Sequence, residues 1–346
     1  MSRRPWAPGW MVYNLVTKKL EADTRVVPYR RKLVLSMMLA VAGYGGWVLA
    51  NEADAVIASA ARVGGIGLVV ICALSLLNYS LRFVRWRWYL YSMGHRIPVG
   101  RDLRIYLSGF ALTTTPGKAG EAIRSLFLKE HEVPYTASLA ALAAERLADV
   151  ISVAIIATGG IMFFGEFRWL ALFMLLAAAM MVLAVHSQSL RGALRRTFDR
   201  MLAGRLHNAA EHAVSLLDRL SRLTGSTGLL LGICLGTVAW SAEAYGFWYL
   251  VVALGYDLPL LQAAAIYALS MLAGAASLMP GGLGGAEAAM GVMLLATGFN
   301  GADAVSATLI CRLATLWFAV AIGIVALSVH SARAGQELDT AAEDKR

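Results

Sequence analysis

Two stretches decide the fold: Thr113-Thr114-Thr115-Pro116-Gly117-Lys118-Ala119-Gly120-Glu121 and Pro280-Gly281-Gly282-Leu283-Gly284-Gly285-Ala286-Glu287. Each interrupts an apolar segment. Ile105 to Thr115 leads into the first, and a helical stretch follows to about Lys129. Leu260 to Met279 leads into the second, and a stretch to about Thr297 follows it. Proline withholds a backbone donor, and glycine turns where residues with a Cβ do not. Each segment therefore reads as a helix, break, helix hairpin.

The hairpins read as copies of one another. Glu121 precedes Arg146 by 25 positions, and Glu287 precedes Arg312 by 25. Each arginine sits in a long apolar helix, in Ala143-Ala144-Glu145-Arg146-Leu147-Ala148 and in Leu309-Ile310-Cys311-Arg312-Leu313-Ala314. Three long apolar runs separate the hairpins, starting at Ala137, Trp169 and Leu229. An odd number of crossings makes the hairpins enter from opposite faces, the inverted-repeat plan of many secondary transporters.

Outward from the hairpins, the chain is built for a bilayer. Of its 346 residues 58% are hydrophobic and 15% charged, against about a quarter charged in soluble domains. The apolar runs are Leu33 to Ala50, Gly64 to Leu81, Ala137 to Phe164, Trp169 to Val185, Leu229 to Leu254 and Ala302 to His330. Each approaches or exceeds the roughly 17 to 25 residues that span a membrane as helix. The 32 mostly polar residues before Leu33 are too many for a cleaved signal peptide, so the first run reads as a retained span. The expected fold is an all-α polytopic membrane protein, with about six full spans plus two re-entrant broken-helix hairpins in an inverted repeat. It forms one integral membrane domain over residues 1–346: a segment 1–32, a membrane core 33–330 with a basic loop 186–226, and a tail 331–346.

The formal charge of +9 lies in blocks. One precedes the first run, a second runs from Arg82 to Arg104, and a third from Arg191 to Arg222, whereas the loops Asn51 to Val63, Gly165 to Arg168, Gly255 to Pro259 and Gly298 to Asp303 hold just Arg62 and Arg168. This positive-inside asymmetry puts both termini in the cytoplasm. No nucleic-acid partner is expected, because Arg82 to Arg104, interleaved with Trp86, Trp88, Tyr89 and Tyr91, reads as a belt at headgroup level. Arg191 to Arg222 reads as an amphipathic helix or helix pair on the cytoplasmic surface of the membrane. Cys72, Cys234 and Cys311 fall in separate runs, so neither a disulfide framework nor a metal site is expected, and no cofactor motif is present.

Ionisable residues inside a membrane cost about 2.5 to 3.5 kcal/mol at a helix centre and need a reason to be there. The candidates are Glu121, Glu145, Arg146, Asp149, Glu243, Glu287 and Arg312. Arg146 and Arg312 read as substrate-path residues. Glu145, Asp149 and Glu243 read as supporting, and a purely structural pairing of Arg146 with Glu145 and Asp149 stays open. The half-helix that follows each break presents unpaired N–H groups, a ready anion site. Thr114, Thr115, Gly117, Lys118 and Gly120 line the first such site, and Gly281 and Gly282 the second. The alternative for the threonines is a kink held by hydroxyls bonding back to the helix.

These motifs, in this order and spacing from about Ile66 to Val329, resemble the flippase-like transmembrane family that includes the membrane part of lysylphosphatidylglycerol synthase. The resemblance implies a bacterial or archaeal inner-membrane protein associated with moving lipids, or with loading and exporting lipid-linked groups, with lipid-synthesis enzymes as partners. The short polar stretch Ser331 to Arg346 leaves no room for the soluble aminoacyl-transferase domain of two-part members, so lysyl transfer is not expected. The favoured function is translocation of an anionic or polar-headed, phosphate-containing lipid by alternating access. The alternatives are an integral-membrane lipid-phosphate transferase with Glu145 or Asp149 as base, and a non-catalytic scaffold for lipid-synthesis enzymes. The orientation is directly testable in a background lacking the native cysteines. Asp54→Cys and Asp257→Cys should label with an impermeant thiol reagent in intact cells, and Ala193→Cys and Gly335→Cys should not. Labelling of Ala193→Cys would overturn the orientation and the inverted repeat with it.

Overall fold

The computed structural model describes residues 53–114, 121–160, 168–201, 205–277 and 279–343. The chain divides into two compact units, Met1–Asn51 and Glu52–Arg346, and every described residue lies in the second. The apolar run Leu33 to Ala50 and the break residues Thr115 to Gly120 lie outside the described residues.

Among the described residues there are helices and no strand. Helix α1 (Ala53–Ser92) is interrupted at Gly64, where φ is 73°. The first hairpin consists of α2 (Val99–Ser108), a 3-10 turn at Gly109–Leu112, and α3 (Ile123–Lys129). Then come α4 (Tyr135–Gly160), α5 (Arg168–His186), and the pair α6 (Gln188–Met201) and α7 (Arg205–Leu223). Helix α8 (Ser226–Ala253) precedes the second hairpin, formed by α9 (Leu260–Ala276), a 3-10 turn at Pro280–Gly282, and α10 (Gly285–Ala296). The chain closes with α11 (Gly301–Arg312), a π-helical turn at Leu313–Trp317, and α12 (Phe318–Glu343). The expected helix pair over Arg191 to Arg222 is present as α6 and α7.

Among the described residues three helical stretches are long and apolar enough to cross a membrane: Asp54–Ser92, Ser226–Ala253 and Gly301–His330. Large apolar side chains such as Ile66, Phe173, Leu230, Val292 and Val325 are exposed along the helices. A lipid-facing surface has that composition, since lipid does not drive such side chains inward.

Both hairpins begin and end in matched turns. Before the first, Gly94 (φ 87°) donates to Tyr91 O at 2.9 Å and His95 to Leu90 O at 3.0 Å. Before the second, Gly255 (φ 89°) donates to Val252 O at 2.9 Å and Tyr256 to Val251 O at 3.3 Å. These are left-handed helix terminations in which glycine meets no Cβ penalty. Pro98 and Pro259 then open α2 and α9. After the hairpins the pattern recurs at Glu132 and Gly298, both with positive φ, with Val133 donating to Leu128 O and Phe299 to Leu294 O, each at 3.2 Å. The shared sequence signal, Gly94-His95-Arg96-Ile97-Pro98 against Gly255-Tyr256-Asp257-Leu258-Pro259, is one that the spacing of Glu and Arg does not reveal.

The core is held together by close helix approach at small residues. Helix α8 presents Gly228, Gly232 and Gly236 one turn apart, and a Cβ at Gly232 would come within 2.4 Å of the Tyr89 hydroxyl of α1. Helix α4 ends in a similar contact. A Cβ at Gly160 would lie 2.0 Å from Leu261 O and 2.4 Å from Ala265 Cβ of α9, whereas one at Gly159 would meet nothing within 4 Å. Gly160→Ala should therefore lose about 1 to 3 kcal/mol through overpacking. Gly159→Ala should be neutral or gain up to about 1 kcal/mol of helix propensity. Unfolding midpoints in detergent distinguish the two, and equal midpoints would contradict the α4–α9 contact.

Candidate functional site

The charge network starts on α1. Helical spacing puts Asn78, Arg82, Arg85 and Tyr89 on one face, and all four are buried. This corrects the expectation of a headgroup belt over Arg82 to Arg104. Arg96 and Tyr91 are exposed as a belt requires, but Arg82, Arg85, Trp86 and Tyr89 point into the protein. The glycines of α8 make room for them. A Cβ at Gly236 would stand 2.8 Å from Arg85 Nη1, which donates to Gly232 O at 3.3 Å.

Three carboxylates answer four arginines in this half. Arg85 Nη2 donates to Asp149 Oδ1 at 2.6 Å, and Arg82 Nη2 lies 3.3 Å from Asp149 Oδ2. Arg124 Nη1 donates to Glu145 Oε2 at 3.1 Å and Nη2 to Glu121 Oε2 at 3.5 Å, while its guanidinium lies 4.1 Å from the Tyr106 ring centroid. Gly109 supplies the space, since a Cβ there would come within 2.3 Å of Arg124 Nε. Arg146 Nη2 bridges Glu121 at 3.5 Å and Asp149 at 3.3 Å. Asp149 thus pairs with Arg146 as the sequence allowed, and Glu145 pairs with Arg124 instead. Arg146 is held loosely: its side chain is 28% exposed, and its Nε and Nη2 make no hydrogen bond.

In the second half Arg312 Nε donates to Glu287 Oε1 at 2.6 Å and Nη2 to Gly281 O at 2.8 Å. Gly281, Gly282 and Gly284 all have positive φ, a conformation open to glycine at little cost, and this backbone turn aims the Gly281 carbonyl at the guanidinium. The other Glu287 oxygen accepts the Gly284 N–H at 2.7 Å. The start of α10 is therefore capped by the protein's own carboxylate, where an anion was expected. After Arg312 the π turn frees a carbonyl, and Tyr79 of α1 donates to it at Thr315. Such turns are frequent at functional sites. Glu243 of α8 accepts a hydrogen bond from the Tyr267 hydroxyl of α9.

Both halves meet at one cavity of about 270 Å³. Arg82, Glu121, Arg146 and Asp149 line it from the first half, and Glu243, Gly281, Gly282 and Arg312 from the second. The second break approaches the backbone just before the first, because a Cβ at Gly281 would stand 3.5 Å from Thr114 Cα. Thr114 is buried, and Thr113 lines the cavity. Thr115, Gly117, Lys118 and Gly120 lie outside the described residues. Arg82, Arg85 and Arg124 were missed as site residues from sequence. Their signal was the inward face shared with Asn78, and for Arg124 the position one turn after Glu121.

Comparison with known proteins agrees in extent with this core. The family described as the lysylphosphatidylglycerol synthase TM region matches residues 32–323. A UPF0104 membrane protein of Methanothermobacter thermautotrophicus is 24% identical over 296 residues, covering 78% of this chain and 87% of the relative. A UPF0104 membrane protein of Pyrococcus horikoshii is 23% identical over 287 residues, covering 72% of this chain and 84% of the relative.

The buried pairs set a stability expectation. Arg124→Met keeps the apolar bulk but leaves Glu121 and Glu145 without that cation, and breaking a buried pair from one side costs about 3 to 5 kcal/mol. Adding Glu145→Gln to Arg124→Met should recover part of the loss. Unfolding in mixed micelles reads both, and an unchanged midpoint for Arg124→Met would remove Arg124 from the network.

Proposed function

The chain belongs to the lysylphosphatidylglycerol synthase transmembrane-region family, and from that premise we propose that it translocates a phosphate-bearing polar lipid across the bacterial inner membrane. The observation that carries this reading is one cavity inside the helix bundle lined by Glu121 and Arg146 of the first Glu–Arg pair, by Arg312 of the second, and by Gly281 and Gly282 of the second break, Arg312 being paired in turn with Glu287. The fold is read as an inverted repeat with about six full spans, both termini cytoplasmic. The matched turns at Gly94 and Gly255, and at Glu132 and Gly298, support that repeat.

In this mechanism Glu121 and Glu287 hold Arg146 and Arg312 while the cavity is empty. A lipid phosphate entering from one leaflet replaces a carboxylate on the arginine that faces it. Arg146 is the readier acceptor, because its pairs are longer and it has donors to spare. The released carboxylate and the new ion pair favour the conformation that opens toward the other leaflet, where the second Glu–Arg pair repeats the exchange. Binding energy is thereby traded between equivalent pairs, which keeps the substrate from being trapped in one state.

The transferase alternative asks Glu145 or Asp149 to act as base. Glu145 is bound to Arg124, and Asp149 faces Arg82, Arg85 and Arg146. Both carboxylates are thus engaged by guanidinium partners inside the bundle, and breaking such a buried pair from one side is costly, so the transport reading is preferred. In proteoliposomes carrying a fluorescent phospholipid, Arg146→Ala and Arg312→Ala should each slow transbilayer movement about tenfold or more, the loss expected from a charged hydrogen bond to substrate. Membrane insertion should stay intact, since fewer buried charges ease insertion. Full activity in both variants would sink the assignment, and a translocated lipid of altered mass would favour the transferase.

A further inference from the structure

A second cavity, of about 430 Å³, lies apart from the central one where α7 turns into α8. Arg219 and Arg222 of α7, Trp88 of α1, and Ser226, Thr227 and Gly228 of α8 line it. No carboxylate is among its lining residues. Neither arginine has an ion-pair partner among the described residues, and Arg219 Nε is closed off from solvent without any acceptor. This differs from the central cavity, where every arginine faces a carboxylate.

The backbone adds to the positive character. Leu229 makes the first bond of the helix, to Gly225 O at 2.8 Å, so the N–H groups of Ser226, Thr227 and Gly228 precede it, and no side chain caps them. The turn is pinned in place, since a Cβ at Gly228 would fall 1.9 Å from Leu223 O. His95 is held below the usual imidazole range first by burial and then by the charge of Arg219.

Position identifies the source of the anion. Ser226 begins one of the stretches long and apolar enough to cross a membrane, and Leu230, one turn further in, is 64% exposed. Behind the pocket, Leu220 and Leu223 bury the apolar face of α7. The two guanidinium groups therefore sit where a polar surface helix meets an apolar span, the depth of lipid phosphates. We propose that this pocket is a second, non-transport site that binds the phosphate of an anionic membrane lipid.

The test uses the delipidated full chain in detergent, titrated with dioleoyl phosphatidylglycerol, dioleoyl phosphatidylcholine and inorganic phosphate, with adducts counted by native mass spectrometry. One phosphatidylglycerol should bind in preference to phosphatidylcholine, and Arg219→Gln with Arg222→Gln should weaken it about fivefold per arginine. Arg195→Gln with Arg196→Gln removes the same charge from exposed positions on α6 and should leave the adduct intact. Because Arg222 is exposed, Arg222→Gln alone gives a folded variant that should show about a fivefold loss. Retention of the full preference in the Arg222 and Arg219/Arg222 variants, or equal loss in the Arg195/Arg196 control, would overturn the site. Competition by inorganic phosphate as effective as by the lipid would overturn the lipid assignment. Arg312→Gln should keep this adduct, so failure of the transport reading would leave the second site measurable by itself.

Discussion

Burying guanidinium groups in an apolar helix bundle is the constraint on which the rest of the structure turns. Desolvation costs several kcal/mol per ion and is offset only where partner geometry is good. Arg82, Arg85, Arg124 and Arg146 are collected around Glu121, Glu145 and Asp149, and Arg312 is matched to Glu287. Helix order, glycine placement and the two breaks all serve that requirement. Gly109 admits the side chain of Arg124, Gly236 that of Arg85, and Gly281 turns its carbonyl onto Arg312.

The network has two grades of tightness. Arg85 and Arg124 are fully buried, with hydrogen bonds to carboxylates and, for Arg124, aromatic rings stacked around it. Interactions of this kind lock helices together. Arg146 and Arg312 stand at the cavity, and each shares its partner with the backbone break or with a competing cation. A ligand phosphate can compete for these two without dismantling the scaffold, because Arg85 and Arg124 keep α1, α3 and α4 in register.

The break of the second hairpin was legible in sequence because proline and glycine act locally, through one residue's own φ and hydrogen-bonding capacity. The Glu-to-Arg spacing was legible too, and both pairs are in contact. Misreading Arg82 and Arg85 had a different cause. An arginine beside tryptophan near the end of an apolar run has the same local composition whether it faces headgroups or a helix core. The deciding feature is the glycine stripe on α8, well over a hundred residues away. Arg124 was overlooked for the same reason, since its aromatic surroundings come from Trp86, Tyr106 and Phe110.

Sequence by itself determined that this chain lives in a membrane, where the second hairpin breaks, and which acid and base recur at one spacing, because hydropathy, backbone chemistry and periodicity are properties of neighbouring residues. Tertiary structure alone decided which charges are inside, which carboxylate each arginine takes, and that Arg146 and Arg312 face a common cavity. It also separated a charge-matched centre from the unmatched arginines at the α7–α8 turn. Those outcomes depend on distances between helices remote in the chain, and electrostatic free energy in a low-dielectric interior changes steeply over a few ångströms.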